Sequence, residues 1–487
     1  MRLAYGVEAV RAAEGALMDA LPDGTLMQRA AAGLAAICAS LLEPVYGARV
    51  TVLAGSGDNG GDALYAGATL ARRGAVVTAV TPGGKVHEGG INALVQAGGR
   101  VTAGMPGKDA DLIIDGLLGI GGHGGLREPF ATLARDTERQ RQAHQATTVV
   151  AVDLPSGIDA DTGVVDGVAV TADVTVTFGV IKPGLLIDPG ASHAGTVQLI
   201  DIGLSPDRSP AVEAPQREDI AALLPRPTAE SDKYRRGVLG LLAGTDRYAG
   251  AAVLSAGGAI RGGAGMVRVV TEDVPAQAVR ARWAEAVLTP AAGLAQAGRV
   301  QAWVAGPGMG TTDEAAARLE YVLGTDVPVL VDADGLTLLT RLRDALARRT
   351  APTLITPHAG ELARVLGDGT DAAAVEAHRL EYARRAAAEL GITVLLKGST
   401  TVIATPDPGA PVLVNPTGTS WLATAGSGDV LSGLAGALLA QGLAPEQAAI
   451  AGAYLHGLAG RLAADGAPIG AFDIIESIPA AIRAVTQ

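Results

Sequence analysis

Twice in this chain, at 55–58 and at 426–429, the tetrapeptide GSGD stands between an apolar or small-residue stretch and a helix-like run. That arrangement restricts the fold. A Gly-rich turn opening a helix points backbone N–H groups and the helix N-terminus toward an anion. One such turn hints at a phosphate-bearing ligand. Two, in separate halves of 487 residues, point to two phosphate-recognising sites and two linked activities.

The segments around the turns alternate between strand and helix patterns. In the first half the strand-like runs are RVTVLAG (49–55), VVTAVTP (76–82), DLIIDGLLG (111–119), TTVVAVDLPSG (147–157), VTVTFGV (174–180) and TVQLIDIG (196–203). The second half continues with RRGVLGLLAG (235–244), MVRVVT (266–271), AWVAGPG (302–308), VPVLVDAD (327–334), TLITP (353–357) and ITVLLKG (392–398). Their apolar runs are continuous, not alternating, as in strands buried on both faces of a largely parallel sheet. Both halves are expected to be α/β. The stretch LSPDRSPAVEAPQ (204–216) holds three prolines and little periodicity, so a linker is expected at 206–216 between domains at 1–205 and 217–487.

Bulk properties exclude several classes. At 48% hydrophobic and 18% charged residues, the chain is not disordered. A net charge of −12 and an aromatic content of 3% argue against a nucleic-acid-binding surface. Anionic ligands then need local backbone donors, which Gly-rich turns supply. The single cysteine, Cys38, lies in the apolar run AAGLAAICASLL and reads as a small buried hydrophobe in a reducing compartment. Glu8 and Glu14 interrupt the segment where an export signal would be apolar. The run after Asp429 is too broken by Gln441 and glycines to span a membrane. A soluble cytoplasmic protein without nucleic-acid or membrane partners is expected, assembled as a homo-oligomer.

GSGDNG (55–60) fits G-x-G-x-x-G after a strand. A dinucleotide-binding oxidoreductase also needs an acid about 20 residues on, but VVTAVTPGG has none. The turn runs on as NGGD, a compact polar loop built for close backbone approach. Asp115 ends DLIID, and Asp153 and Ser156 lie in VDLPSGID. Each acid alone reads as a helix N-cap. Together they stand at the carboxyl ends of three strands, where open parallel sheets bind ligands. Oxygens from Asn59, Asp115 and Ser156 suit a hard cation.

GSGDNGGD, DGLLGIG, AVDLPSGIDADTG and FGVIKPG together resemble the YjeF N-terminal domain, the NAD(P)H-hydrate epimerases, over 1–205. The resemblance implies a Rossmann-like three-layer domain that interconverts R and S forms of hydrated NAD(P)H. It implies potassium at Asn59, Asp115 and Ser156. It assigns hydrate contacts to Asp58, Asn59, Gly60, Gly61 and Asp62, to Gly119, Ile120, Gly121, Gly122, His123, Gly124 and Gly125, and to Asp153, the catalytic residue. Asp58 stands where the family usually has Asn, and the loop after Gly119 is longer than the usual GTGL form. Lys182 reads either as a phosphate partner or as a solvated surface lysine.

In the second half, WLATAGSGDVLSGLAGALLA (421–440) puts Asp429 at a helix start beside glycine amides. Such amides stabilise a transferring phosphoryl group, and the carboxylate can take a proton from an attacking hydroxyl. A bare N-terminal Asp favoured by the helix dipole is the plainer reading. LLKGSTTVI (395–403) adds a second strand–Gly turn with Lys397. There is no G-x-x-x-x-G-K-[ST], hence no P-loop. GSGD before a helix is similar to the anion hole of ribokinase-like enzymes. With residues 233–267, AGPGMG (305–310), DADGL (332–336) and TPHAGE (356–361), the chain over 217–487 resembles the ADP-dependent NAD(P)H-hydrate dehydratases. That resemblance assigns Lys397, Gly398, Ser399, Thr400, Thr401 and Gly428 to the nucleotide, and Ala251, Gly308, His358 and Asp429 to the hydrate, with Asp429 catalytic. A satisfied structural role is the commoner fate of a lone histidine such as His358. The resemblance further implies magnesium and ADP, converted to AMP. The whole chain then reads as a bifunctional repair enzyme acting on NADHX and NADPHX. The alternative is a ribokinase-like small-molecule kinase with a nucleotide-sensing N-terminal domain.

Overall fold

A computed structural model describes residues 1–83, 85–105, 110–122 and 124–487. They group into two compact units, Leu3–Val212, and Glu213–Gln487 together with Met1–Arg2. Within the stretch expected as a linker, Val212–Ala214 is a short strand.

The first unit is built on seven strands in the order Arg100–Thr102, Val76–Val80, Arg49–Ala54, Leu112–Gly116, Thr148–Val152, Val174–Phe178, Thr196–Ile200. All neighbours are parallel. Chain order reverses between Arg49–Ala54 and Leu112–Gly116, which opens a crevice at their carboxyl ends. Leu112–Gly116 is buried along its whole length, as the unbroken apolar run requires of a central parallel strand.

The second unit carries the larger sheet. Its strands run Val412–Asn415, Thr401–Ala404, Thr393–Leu396, Thr353–Ile355, Val329–Val331, Ala302–Ala305, Val238–Leu242, Met266–Thr271, Val287–Pro290. The pairs from Thr393–Leu396 to Val287–Pro290 are parallel. Thr401–Ala404 and Val412–Asn415 fold back antiparallel. Helices between the strands make both units α/β. Here the reversal falls between Val238–Leu242 and Ala302–Ala305.

Three elements depart from the sequence reading. Arg100–Thr102, Val287–Pro290 and Val412–Asn415 are strands of three or four residues, too short for a periodic signal. The polar stretch expected as a loop at 58–62 is instead the start of the helix Asp58–Arg72. Gly60 lets that turn close: a Cβ there would stand 2.2 Å from the Gly55 carbonyl oxygen. The Cys38 thiol is fully buried, and burial pushes its pKa to about 12. No described helix is long and apolar enough to cross a membrane.

The helix that starts with the second GSGD, Ser427–Ala440, is buried almost throughout. It packs on Ala249–Arg261 through glycines. A Cβ on Gly433 would come within 2.0 Å of the Ser255 carbonyl oxygen, and one on Gly258 within 2.3 Å of the Val430 carbonyl oxygen. Side-chain-free contact brings the backbones together and fixes where Asp429 sits. Gly433→Ala forces a methyl into that backbone contact, at a cost of roughly 1–3 kcal/mol. Calorimetry of the full chain should show a transition lowered by about 2–4 °C per kcal/mol; an unchanged midpoint would contradict this packing.

Candidate active sites

In the first unit the functional side chains converge on the crevice at the chain reversal. Asp115 lies in Leu112–Gly116 and is fully buried. The Ser156 N–H donates to its Oδ2 (2.8 Å) and the Ser156 hydroxyl to its Oδ1 (2.7 Å). The Leu117 N–H donates to Oδ1 at 3.3 Å. Burial nevertheless raises the Asp115 pKa to about 6, against these hydrogen bonds. No cation pairs with it among the described residues. The Asn59 side chain is nearby in the fold, since a Cβ on Gly119 would touch its Oδ1 at 3.1 Å. The Asn59 Nδ2 is buried without a partner. Turning the amide over presents an oxygen to the same space. An uncompensated buried carboxylate beside hydroxyl and amide oxygens suits a monovalent hard cation, so the residues fit potassium.

Asp153 follows Thr148–Val152 at φ 63°, in the left-handed region that non-glycine residues seldom adopt. Three groups hold its Oδ1: the Thr177 hydroxyl (3.1 Å), the Phe178 N–H (3.2 Å) and Lys182 Nζ (2.5 Å). Lys182 also donates to Thr177 Oγ1 and the Phe178 carbonyl. Its side chain is 1% exposed. Both sequence expectations for Lys182 are therefore corrected: it is not solvated, and its three donors are already taken, leaving none for a phosphate. Asp62 is buried, with Oδ1 unpartnered. Its pKa lies well above the usual carboxylate range, through burial first and then Asp153, Asp58 and Glu14. Asp58 is exposed at the helix start. Gly60 and Gly61 are buried in the helix, while Gly119, Ile120, Gly122 and Gly125 are half-buried and Gly121 and Gly124 exposed. His123 lies outside the described residues.

In the second unit a charge cluster forms at three strand ends. Asp332 follows Val329–Val331 and is buried. It accepts from Lys397 Nζ (2.8 Å) and from the Ser432 hydroxyl (2.6 Å). Glu361 lies 3.8 Å from the same ammonium. Burial opposes the charge on Lys397, but Asp332, Glu361 and Asp429 together hold its pKa above the ordinary lysine value. Asp429 feels the reverse balance. Burial, and then the charge on Asp332, raise its pKa to about 7, against the pull of Lys397. Gly428 adjoins the cluster, since a Cβ there would be 3.4 Å from Lys397 Nζ. Ser427 lies 3.3 Å from His456 Nε2, and burial pushes the His456 pKa to about 4, so this imidazole is neutral near pH 7.

The other expected residues fall into two groups. Gly398 opens the turn before Thr401–Ala404, with the Arg379 guanidinium packed behind it and donating to the Lys397 carbonyl (3.2 Å). Ser399 is exposed, Thr400 buried and Thr401 half-buried. Ala251 and Gly308 meet, since a Cβ on Gly308 would lie 2.8 Å from that of Ala251 and 2.9 Å from that of Tyr248. His358 caps the helix Ala359–Leu366, its Nδ1 accepting from Gly360 N–H (3.1 Å) and Glu361 N–H (3.4 Å). Its ring stays exposed.

Sequence reasoning missed Asp332, Glu361, Ser432 and Asp334. The first, second and fourth lie inside the motifs DADGL and TPHAGE. The same strand-end reasoning that found Asp115 and Asp153 points to Asp332. No three carboxylates or imidazoles among the described residues form a metal cage. Magnesium needs none: it is held by one or two carboxylates with phosphate oxygens supplying the rest. Three acids around one ammonium fit that donor set.

The buried Asp153–Lys182 pair yields a measurable coupling. Lys182→Met strands a buried carboxylate and should cost about 3–5 kcal/mol in denaturant unfolding. Adding Asp153→Asn should recover part of that loss; additive losses in the double variant would rule the coupling out.

Comparison with known proteins separates the same two parts. Residues 23–184 match the family model for the YjeF-related protein N-terminus, and 239–479 match that for NAD(P)H-hydrate dehydratase. A bifunctional NAD(P)H-hydrate repair enzyme Nnr from Mycobacterium leprae is 47% identical over 474 residues, 95% of this chain and 94% of the relative. One of the same name from Corynebacterium glutamicum is 35% identical and covers 100% of this chain and 99% of its own. Among solved structures, an ADP/ATP-dependent NAD(P)H-hydrate dehydratase from Bacillus subtilis, co-crystallised with ATP and Mg2+, is 32% identical. It covers 55% of this chain and 97% of its own, with a TM-score of 0.50. A ribokinase-like superfamily protein from Enterococcus faecalis is 26% identical, covering 57% of this chain and 97% of its own, with a TM-score of 0.51. The chain belongs to the family of bifunctional NAD(P)H-hydrate repair enzymes.

Proposed function

We propose that the chain repairs hydrated NADH and NADPH in two steps. The N-terminal unit interconverts the R and S hydrates, and the C-terminal unit dehydrates the S form with ADP, releasing AMP and phosphate. The observation that carries the reading is the pairing, in one chain, of two strand-end carboxylate sites, each built on a lysine–aspartate ion pair.

Inverting the hydrated carbon requires a bond at that carbon to break and re-form, with a proton given to an oxygen and taken back. Asp62, whose pKa burial raises well above the usual carboxylate range, can give a proton. Asp153, ion-paired to Lys182, can receive one. Asn59, Asp115 and Ser156 would hold potassium, whose charge offsets buried Asp115 and a substrate phosphate.

In the C-terminal unit the hydrate's hydroxyl is a poor leaving group, and phosphorylation makes it a good one. Asp429 takes the hydroxyl proton as that oxygen attacks the terminal phosphorus of ADP. Amides of the turn before and within Ser427–Ala440 face the phosphoryl oxygens. Lys397, with 398–401, holds the nucleotide, and Ala251, Gly308 and His358 hold the hydrate. Asp332 and Glu361 would hold magnesium, which would supply charge neutralisation at the phosphates. Loss of phosphate from that carbon, with a proton lost from the neighbouring ring carbon, then restores the double bond of the ring.

The direct test mixes both hydrate epimers with ADP and follows the absorbance of reduced nicotinamide. Complete recovery is expected. Recovery of only half would remove the epimerase assignment, and accumulation of a stable phosphorylated product would favour a small-molecule kinase instead. Asp429→Ala should lower dehydration by roughly 10²–10⁴-fold while R-to-S interconversion, read by chromatography, continues; parallel loss of both would sink the two-site assignment. Because Asp429 must be ionised to accept a proton, the dehydration rate should fall as pH drops through about 7. A profile flat from pH 6 to 8 is incompatible with Asp429 as the base.

A further inference from the structure

The helix Val7–Ala20 lies outside the residues that match the N-terminal family model, 23–184. Its placement beside the epimerase site is nonetheless fixed. The chain entering it pairs with the segment next to Lys182: Ala4 bridges Ile181, and the Tyr5 N–H donates to the Ile181 carbonyl at 2.9 Å. The Val7 N–H donates to Asp161 Oδ1 at 2.7 Å, in the DADTG stretch that follows Asp153 and Ser156. Val7, Ala9 and Val10 are buried against the unit. Those anchors leave Arg11 and Glu14, one turn apart and on one side of the helix, turned toward the site.

Two observations show where they point. A Cβ on Gly121 would stand 3.8 Å from Arg11 Nη2, so the guanidinium overhangs the Gly-rich turn. Glu14 is half-buried, and after burial itself the groups acting on it are Lys182, Asp153, Asp58 and Arg11. The surroundings are therefore acidic: Asp153 and Asp58 act on Glu14, and Asp153, Asp58 and Glu14 act on Asp62. Lys182 is spent on Asp153, Thr177 and Phe178. Arg11 is exposed and makes no hydrogen bond or ion pair at contact distance among the described residues. A dinucleotide entering such a site brings two or more phosphate charges, more than backbone amides and one potassium ion offset.

We propose that this helix supplies the phosphate-binding cation of the N-terminal site: Arg11 clamps a phosphate of the bound hydrate against the backbone around Gly121. The proposal rests on the epimerase reading above. Guanidinium is suited to the task because its planar donor fork binds a phosphate in two places and stays charged at every working pH.

The test uses the full chain and purified R-NADHX and R-NADPHX, with R-to-S conversion followed by chromatography in the absence of ADP. Wild-type conversion establishes the underlying reading independently; without it, that reading fails before Arg11 is tested. With Arg11→Ala, KM should rise roughly tenfold, the effect of one charge-assisted hydrogen bond, with kcat changed far less. A rise for both hydrates identifies the pyrophosphate as the partner, and a rise for R-NADPHX alone identifies its 2′-phosphate. Arg11→Lys should restore part of the loss, and added salt should weaken wild-type binding more than that of Arg11→Ala. ADP-dependent dehydration of S-NADHX by the same variant reports that the chain is folded. KM values within twofold of wild type for both hydrates, with dehydration intact, would make Arg11 a solvated surface residue and overturn the proposal.

Discussion

Each unit places a lysine–aspartate ion pair at the carboxyl ends of its parallel strands, and a further acid of each candidate site lies within reach of the pair's aspartate. Lys182–Asp153 and Lys397–Asp332 are separated by 2.5 and 2.8 Å. Neither lysine is there to add net positive charge. Each neutralises one buried acid so that a second can remain close by, and the second then bears the full cost of burial. In the first unit that acid is Asp62, pushed well above the usual range. In the second it is Asp429, brought to about 7. Parallel strands make the arrangement possible because their carboxyl ends all open on one side, and residues far apart in sequence meet there.

The sequence revealed the fold class through its continuous apolar runs, because a strand covered on both faces has no polar register to show. It revealed less about short edges: Arg100–Thr102 and Val287–Pro290 have too few residues for any period. The site was legible where a polar residue interrupts an apolar run, as at Asp115 and Asp153. Lys182 was misread because a lysine four residues after a strand looks solvated until the strand-end acid it neutralises is placed against it. Asp332 was overlooked although it ends VPVLVD in the same manner as Asp153 ends TTVVAVD. The helix Val7–Ala20 gave no signal at all. Its role depends on Asp161 and Ile181, more than a hundred residues away, and such a contact leaves no local pattern.

The two GSGD copies show how little a tetrapeptide decides by itself. Both start a helix close to a strand end, and both place an acid in its first turn, where the helix N-terminus favours an anion. Asp58 stays exposed. The buried acid of that helix is Asp62, one turn further on, where a Gly-Gly step lets the helix press against the sheet. Asp429 is half-buried instead, because its helix is sunk into the unit through Gly433 and Gly436 and backed by Asp332, Ser432 and Lys397. What differs is the depth at which the helix sits. Small residues along the second helix draw the whole first turn inward, and the acid at the turn becomes the one that can exchange a proton near neutral pH.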